Sequence, residues 1–257
     1  CLLPEDIPGN DGFYRALEVV APAGTVVNCS FPGATSIGAE LGQKIVEGIL
    51  RALAPALPER VPAMGKGTNS GIGFGSLDPR TRLPFAFHEA LGGGAGALFD
   101  RDGTDAVQIG LGNTENVAVE EVEAKFPYRV LRHELWPDSG GAGRWRGGLG
   151  IRKDYLVLQE STFSRTLDSS RFPPQGIFGG GDGRGSEVVL NPDAGGGERL
   201  PNKGSSKLPP GSVVSVRTPG GGGYGDPGER PREAVEADLG AGKITQAGAR
   251  AYAVEPR

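Results

Sequence analysis

Two histidines, His88 and His133, are the only imidazoles in 257 residues, so acid–base or metal chemistry in this chain has few groups to work with. His88 runs directly into Glu89, and the pair can supply one ligand or one acid–base couple to a site completed by other residues. A transition-metal centre draws on several converging His, Cys, Asp or Glu side chains. Neither histidine lies in an HExxH or CxxC arrangement, so no metal ligands are assigned within the chain. Asp138 and Ser139 set a carboxylate beside a hydroxyl at the head of Asp138-Ser-Gly-Gly-Ala-Gly-Arg-Trp-Arg-Gly-Gly-Leu-Gly150. The guanidiniums of that stretch, Arg144 and Arg146, can hold a carboxylate or imide oxygen through paired hydrogen bonds, or form ion pairs at a subunit joint. Ser139 as a nucleophile would need a base within hydrogen-bond reach, and His133 is near it in sequence. Cys1 could act as a self-activated N-terminal nucleophile or simply mark where the chain has been cut.

Glycine sets the character of the regions around these groups. It supplies 45 of 257 residues, well above the roughly 7% of an ordinary protein, without the triplet period of collagen. Apolar runs such as Tyr155-Leu-Val-Leu158 separate the glycine clusters, which is not the composition of a disordered linker. The clusters therefore imply tight turns and close approaches of one backbone to another. Gly92-Gly-Gly-Ala-Gly96 and Gly220-Gly-Gly-Gly-Tyr-Gly225 suggest anion cradles. Neither ends in the Lys-Ser/Thr pair that would hold phosphate and magnesium.

The elements that must position these residues are partly legible. A helix is predicted from about Ile37 to Leu57: Leu41, Ile45, Ile49 and Leu53 recur every four residues, and Val46, Leu50 and Leu57 widen the stripe. Lys44, Glu47 and Arg51 mark the wetter side. Ser36 is placed to cap this helix and Pro58 to close it, and the stripe is expected to pack on the core or on another subunit. Strands are expected at 17–21 and 25–28 as a hairpin, then at 83–87, 130–136, 155–158, 187–190 and 212–216. Two short helices are expected at 231–239 and 246–252, with Pro231 suited to the first helical position and Thr245 to capping the second. The fold class that results is α+β: a β-rich mixed architecture with an early amphipathic helix and short C-terminal helices. A soft boundary falls near residue 124, between a mixed glycine-rich region (1–124) and a β-rich region (125–257), and a single domain is the other reading.

Bulk properties narrow the partners. A formal charge of −4 and a pI near 5.4 disfavour a nucleic acid, whose phosphates select basic surfaces. No stretch reaches the roughly 20 apolar residues of a membrane span. Two cysteines, Cys1 and Cys29, do not make a stapled secreted scaffold, and a reducing, cytoplasmic compartment is the simpler reading. The start at Cys1 lacks an initiator Met and signal-peptide features, so a fragment or processing product is expected.

Four ordered motifs carry a resemblance: Leu3-Pro-Glu-Asp-Ile-Pro-Gly-Asn10, Asn113-Thr-Glu-Asn-Val-Ala-Val-Glu120, the segment from Glu134 to Gly150, and Thr218-Pro-Gly-Gly-Gly-Gly-Tyr-Gly-Asp-Pro227. Together the chain resembles the C-terminal part of the hydantoinase B/5-oxoprolinase family, which includes large subunits of acetone and acetophenone carboxylases. The resemblance implies part of a cytoplasmic hetero-oligomeric enzyme that opens cyclic amides at the expense of ATP. It also implies a hydantoinase A-like ATPase subunit that binds ATP and Mg, and an upstream B-type section that binds most of a divalent metal outside this chain. Under it, His88, Glu89, Asp138 and Ser139 are the candidate catalytic groups, and Asn113, Thr114, Arg144 and Arg146 the candidate substrate contacts for a small molecule. Gln108 stands where relatives often place histidine, so no family role is carried over there. A ketone carboxylase component and a noncatalytic assembly module are the alternative readings.

Overall fold

The computed structural model describes residues 11–15, 17–78, 81–193 and 195–252; Cys1 and the first of the four motifs lie outside them. It has the expected α+β architecture. Among the described residues nine strands form two antiparallel sheets. In the first, β1 (Gly71–Leu77), β2 (Pro84–Ala90), β5 (Ser161–Thr166) and β8 (Lys203–Leu208) lie in the order β2-β1-β5-β8, so strands from both sides of residue 124 share one sheet. The second runs β3-β4-β9-β6-β7, built from β3 (Tyr128–Leu135), β4 (Ile151–Val157), β6 (Glu187–Leu190), β7 (Glu198–Leu200) and β9 (Val213–Arg217).

Alternation explains why the sheets meet. In β4 and β9 the residues that point one way are Ile151, Tyr155 and Val157, and Val214 and Val216, and these join Ile72, Phe74, Phe87 and Phe163 of the other sheet in one buried cluster. Phe74 sits between the layers, its ring centroid 4.6 Å from Tyr128, 4.8 Å from Phe163 and 5.4 Å from Tyr155. β1 reads Gly-Ile-Gly-Phe-Gly, an alternation in which glycine takes the outward positions. There Gly71 and Gly73 lie against Thr166 Oγ1 and Ser164 Oγ of β5, where a Cβ would stand 2.9 and 2.7 Å away.

The predicted hairpin at 17–28 is absent. Only a bridge between Thr25 and Asn28 forms, because Val19, Val20 and Val26 find no sheet to pair with and stay exposed. The early helix, α2 (Gly38–Leu53), follows a four-residue turn of helix, α1 (Asp11–Tyr14). Its N-cap is Ile37, in the left-handed conformation with φ 49°, and not Ser36. Its facing is rotated from the expected one: Gln43 and Glu47 are the buried residues and Ile45 and Ile49 are 42% and 55% exposed, while Leu41, Leu50 and Leu53 of the stripe are half-buried and Arg51 is exposed as expected. A short helix, α3 (Val119–Lys125), leads into β3 and buries Val122. The terminal helices are α4 (Arg232–Gly240), after Pro231, and α5 (Gln246–Ala249), whose N-cap Thr245 accepts from Gly248 N as expected. They pack on each other through Val235, Ile244, Ala249 and Tyr252, with Ala142 of the glycine-rich loop against them.

A third body has almost no side chains inside it. The segment 218–225 runs through the middle of other extended segments and bonds to each through backbone. Gly94 N donates to Pro219 O (2.9 Å), Gly221 N to Gly148 O (2.8 Å), Gly222 N to Met64 O (2.8 Å), Gly223 N to Gly181 O (2.9 Å), and Gly141 N to Gly221 O (2.8 Å). Chains this close leave no room for a Cβ. At Gly221 one would fall on Ala95 O and carbonyl carbon, with Gly96 N 2.8 Å away, and at Gly94 on Gly148 O and Gly221 N.

Candidate functional site

The glycine runs are not open anion cradles. The amides of Gly94 and of Gly220 through Gly223 each donate to a carbonyl inside the bundle, which leaves those N–H groups nothing to offer a phosphate.

Asp138 opens the long loop in the left-handed conformation, φ 57°. Its carboxylate accepts from Thr245 N (2.8 Å) and Thr245 Oγ1 (2.7 Å), which ties the loop to the start of α5. Ser139 is buried; its hydroxyl donates to Trp136 O (2.6 Å) and accepts from Gly150 N (2.9 Å), closing the loop on itself. Arg144 is exposed, 3.6 Å from Glu229. Arg146 is 1% exposed and bonds through its side chain to Asp238 Oδ2 (3.2 Å), Asp105 Oδ1 (3.3 Å) and Gly147 O (2.6 Å). Arg230 completes this network with a two-pronged contact to Asp102 (2.7 and 2.8 Å) and a bond to Asp238 (2.7 Å). Burial alone would raise the Asp102 carboxyl, but the hydrogen bonds and charge of Arg230, helped by Arg146, outweigh it and hold the group below the usual carboxylate range. Asp105 behaves likewise, burial being outweighed by Lys243, the Leu149 amide and Arg146. Two arginines and three aspartates thus fasten the glycine loop to α4.

His88 and Glu89 are successive residues of β2 and therefore face opposite sides of the sheet. His88 is exposed. Glu89 is buried and accepts from Lys153 Nζ (2.6 Å), Tyr155 OH (2.5 Å) and Val117 N (3.2 Å). Burial, and then the Glu89 charge, push the Tyr155 hydroxyl well above its ordinary value. His133 lies opposite Lys153 across the β3–β4 pair, where partial burial and that ammonium lower its pKa. Asn113 and Thr114 are exposed on the irregular stretch before α3. The eight residues singled out from sequence thus lie on β2, on the stretch before α3 and on the long loop, with the Glu89–Val117 bond joining the first two.

A second polar cluster, not singled out from sequence, lies under α2. Glu40 Oε1 accepts from Asn69 N (2.7 Å), Gln43 Nε2 donates to Asn69 Oδ1 (2.7 Å), and Lys44 Nζ donates to Ser169 Oγ (2.9 Å) and Glu47 Oε2 (3.4 Å). Beneath them Lys66, with no exposed surface, donates to Leu91 O (2.7 Å) and Gln108 Oε1 (2.5 Å). Burial lowers its pKa to about 7, with Glu40 opposing the shift. Burial likewise raises Glu47, against Lys44. The sequence signal for this cluster was the spacing of Gln43 and Glu47, one helical turn apart; read as part of the wet side, Glu47 conceals it.

Among the described residues no group of three or more His, Cys, Asp or Glu can hold a metal ion, and no helix is long and apolar enough to cross a membrane.

Comparison with known proteins places this architecture. The B-type subunit of a putative D-/L-hydantoinase from Pseudomonas sp. strain NS671 is 32% identical over 251 residues, which cover 94% of this chain and 40% of that protein. The crystal structure of ATP-dependent caprolactamase from Pseudomonas jessenii superposes with a TM-score of 0.80 at 30% identity, over 98% of this chain and 46% of that one. Acetone carboxylase in its nucleotide-free form shares the fold, with a TM-score of 0.64 at 20% identity over 83% of this chain and 33% of that chain. The chain thus spans less than half the length of these relatives. The Hydantoinase B/oxoprolinase model matches residues 1–227, and the chain belongs to the hydantoinase B/oxoprolinase family.

Proposed function

We propose that this chain is the C-terminal part of a B-type subunit in an ATP-dependent cyclic-amide hydrolase, working with a hydantoinase A-like ATPase in a hetero-oligomer. The observation that carries the reading is the likeness to caprolactamase over 98% of the chain at 30% identity, joined by that to the B-type hydantoinase chain at 32%. The likeness to acetone carboxylase is one of fold and adds no support for carboxylation.

The chemistry has a clear physical purpose. An amide carbon is a poor electrophile. Transfer of the terminal phosphoryl of ATP to the amide oxygen forms an O–P bond, breaks the β–γ phosphoanhydride and releases ADP; water then adds to the activated carbon, the ring C–N bond breaks with a proton going to nitrogen, and a second water cleaves the resulting acyl phosphate to carboxylate and phosphate. Donors placed where oxygen charge develops lower the barrier of such steps. The family resemblance also implies a divalent metal, but the described residues supply no three-ligand set to hold it. Of the residues singled out from sequence, His88, Asn113, Thr114 and Arg144 have exposed side chains from which to reach a substrate, Arg144 from its ion pair with Glu229. Glu89, Asp138, Ser139 and Arg146 hold their own loops and strands in place.

The test is reconstitution. The chain, joined to its upstream B-type section and mixed with the ATPase subunit, is assayed for ring opening of hydantoin, 5-oxoproline and caprolactam, and for acetone carboxylation, with and without ATP. ATP-dependent ring opening that is lost when this chain is omitted is the expected result. Carboxylation without ring opening, or full activity without this chain, overturns the reading.

A further inference from the structure

One stretch of this chain has the composition of an interior and the surroundings of a surface. Every residue from 17 to 39 is exposed, yet none of residues 19–39 is charged in a protein that is 23% charged. Apolar groups take the place of charge: Val19, Val26 and Phe31 are 88%, 79% and 98% exposed, and Leu17, Val20 and Val27 are exposed with them. The hydrogen bonds that shape this arm run within it, from Gly24 N to Asn28 O (2.8 Å), Asn28 N to Thr25 O (3.1 Å) and Asn28 Nδ2 to Ala21 O (2.7 Å). The apolar surface continues beyond the arm. Ile45 and Ile49 are exposed on α2, which follows it, and Leu111, also exposed, lies against Gly42 of that helix. Where arm and helix join, a cleft of about 600 Å³ is lined in part by Ile37, Leu41, Phe172 and Pro173. Single exposed apolar residues are ordinary, but a run of them this long marks an interaction surface.

We propose that the arm and the outer face of α2 are the seat of the upstream B-type section, which packs over them to complete one shared core. This rests on the reading above, in which the chain continues upstream into a longer subunit. Three observations favour that occupant over a separate chain. The matched caprolactamase chain extends well beyond the match, 46% of it being covered by 98% of this chain, so a relative's polypeptide holds ample material to cover the arm. The arm lies near the upstream end of the described residues and runs straight into α2, so a section that precedes it is tethered beside it at high effective concentration. A surface without charge also fits a permanent contact: separable interfaces keep a polar rim, whereas permanent ones resemble a domain core cut in half. The section that meets the arm is accordingly expected to present apolar side chains, since a charge buried against residues 19–39 would find no opposite charge among them.

Cys29, an exposed free thiol within the arm, reports its covering directly. Maleimide labelling is followed on the peptide that contains Cys29, in the chain alone and in the chain joined to its upstream section, with no ATPase subunit present. Labelling slower by about tenfold or more in the joined protein is expected, since a thiol in a packed contact reacts only through local opening. Val20→Glu and Val26→Glu, at exposed positions, should leave the urea midpoint of the chain alone unchanged and restore fast labelling in the joined protein. Should a variant fail to fold, the comparison of the two unaltered proteins still decides. Equal rates overturn the proposal. So does slowing that appears only when the ATPase subunit is added, or slowing in the chain alone that grows with its concentration; these assign the arm to a partner chain or to a second copy. Slow labelling without ring opening by the reconstituted complex leaves the docking surface and removes the functional reading. Ring opening with a freely labelled Cys29 does the reverse.

Discussion

Replacing Gly221 by alanine is the most direct perturbation of the glycine bundle. The added methyl falls on the Ala95 carbonyl and lies 2.8 Å from Gly96 N, all backbone atoms that no rotamer change can move. To admit it, segment 218–225 must part from segment 94–97. That endangers the bonds from Gly94 N to Pro219 O, Ala97 N to Gly222 O and Gly221 N to Gly148 O. Overpacking alone costs about 1–3 kcal/mol. Each buried bond broken without replacement adds about 1–3 kcal/mol, so losing one puts the change at about 3 kcal/mol or more, a large share of the 5–15 kcal/mol typical of a domain. Gly48 is the control. It lies in α2 with nothing within 4 Å of its Cβ position, so Gly48→Ala should gain about 0.8–1 kcal/mol from helix propensity. Urea unfolding followed by circular dichroism measures both. A Gly221→Ala midpoint matching the parent within error refutes the claim that the bundle is closed to side chains.

Three further outcomes follow from buried charge and capping. Glu89→Gln leaves the Lys153 ammonium buried without its counter-charge and should cost about 3–5 kcal/mol; a loss under 1 kcal/mol in urea unfolding would show that water reaches the pair. Lys66 releases its proton near pH 7 in the folded chain and near 10.5 when unfolded. Between those values the unfolded state binds more protons, so stability rises with pH by up to about 1.4 kcal/mol per unit. Urea midpoints taken from pH 7.5 to 9.5 should climb in the parent and flatten in Lys66→Met, whatever the absolute stability of the variant; parallel profiles would refute the shift. Asp138→Ala removes both bonds to Thr245 and should cost about 0.5–2 kcal/mol, the range for a lost helix cap, with faster proteolysis near α5. An unchanged cleavage rate would show that α5 is held by its apolar contacts alone.

Three strands were legible because short apolar, β-branched runs bounded by Gly or Pro leave a local trace: the expected 130–136, 187–190 and 212–216 coincide closely with β3, β6 and β9. β8, Lys-Gly-Ser-Ser-Lys-Leu, carries no such trace, since its burial pattern is exposed or intermediate until Leu208. The glycine clusters were legible as close backbone approaches, because no other residue type tolerates them at that density. The existence of α2 was readable from its period, but not its facing. Periodicity locates an apolar stripe without saying what meets it, and here the loop that precedes β1, through Gly67 and Asn69, meets Glu47 and Gln43. Least legible were the polar networks. Arg146 reaches Asp238 across 92 positions and Arg230 reaches Asp102 across 128, distances over which sequence pattern carries no signal.

The glycine bundle also bears on how this protein responds to temperature. A core of side chains withdraws apolar surface from water and gives unfolding its large positive heat capacity, whereas exposing peptide groups contributes with the opposite sign, roughly −0.26 against +0.45 cal/K/mol per Å². The backbones packed around Gly221 bury mostly peptide. Calorimetry should therefore give a heat-capacity increment per residue below the usual 12–15 cal/mol/K, and a stability curve flatter than that of a side-chain-packed domain of equal length. The sandwich loosens on cooling as its hydrophobic drive fades, while the bundle beside it, held by hydrogen bonds, does not share that weakness.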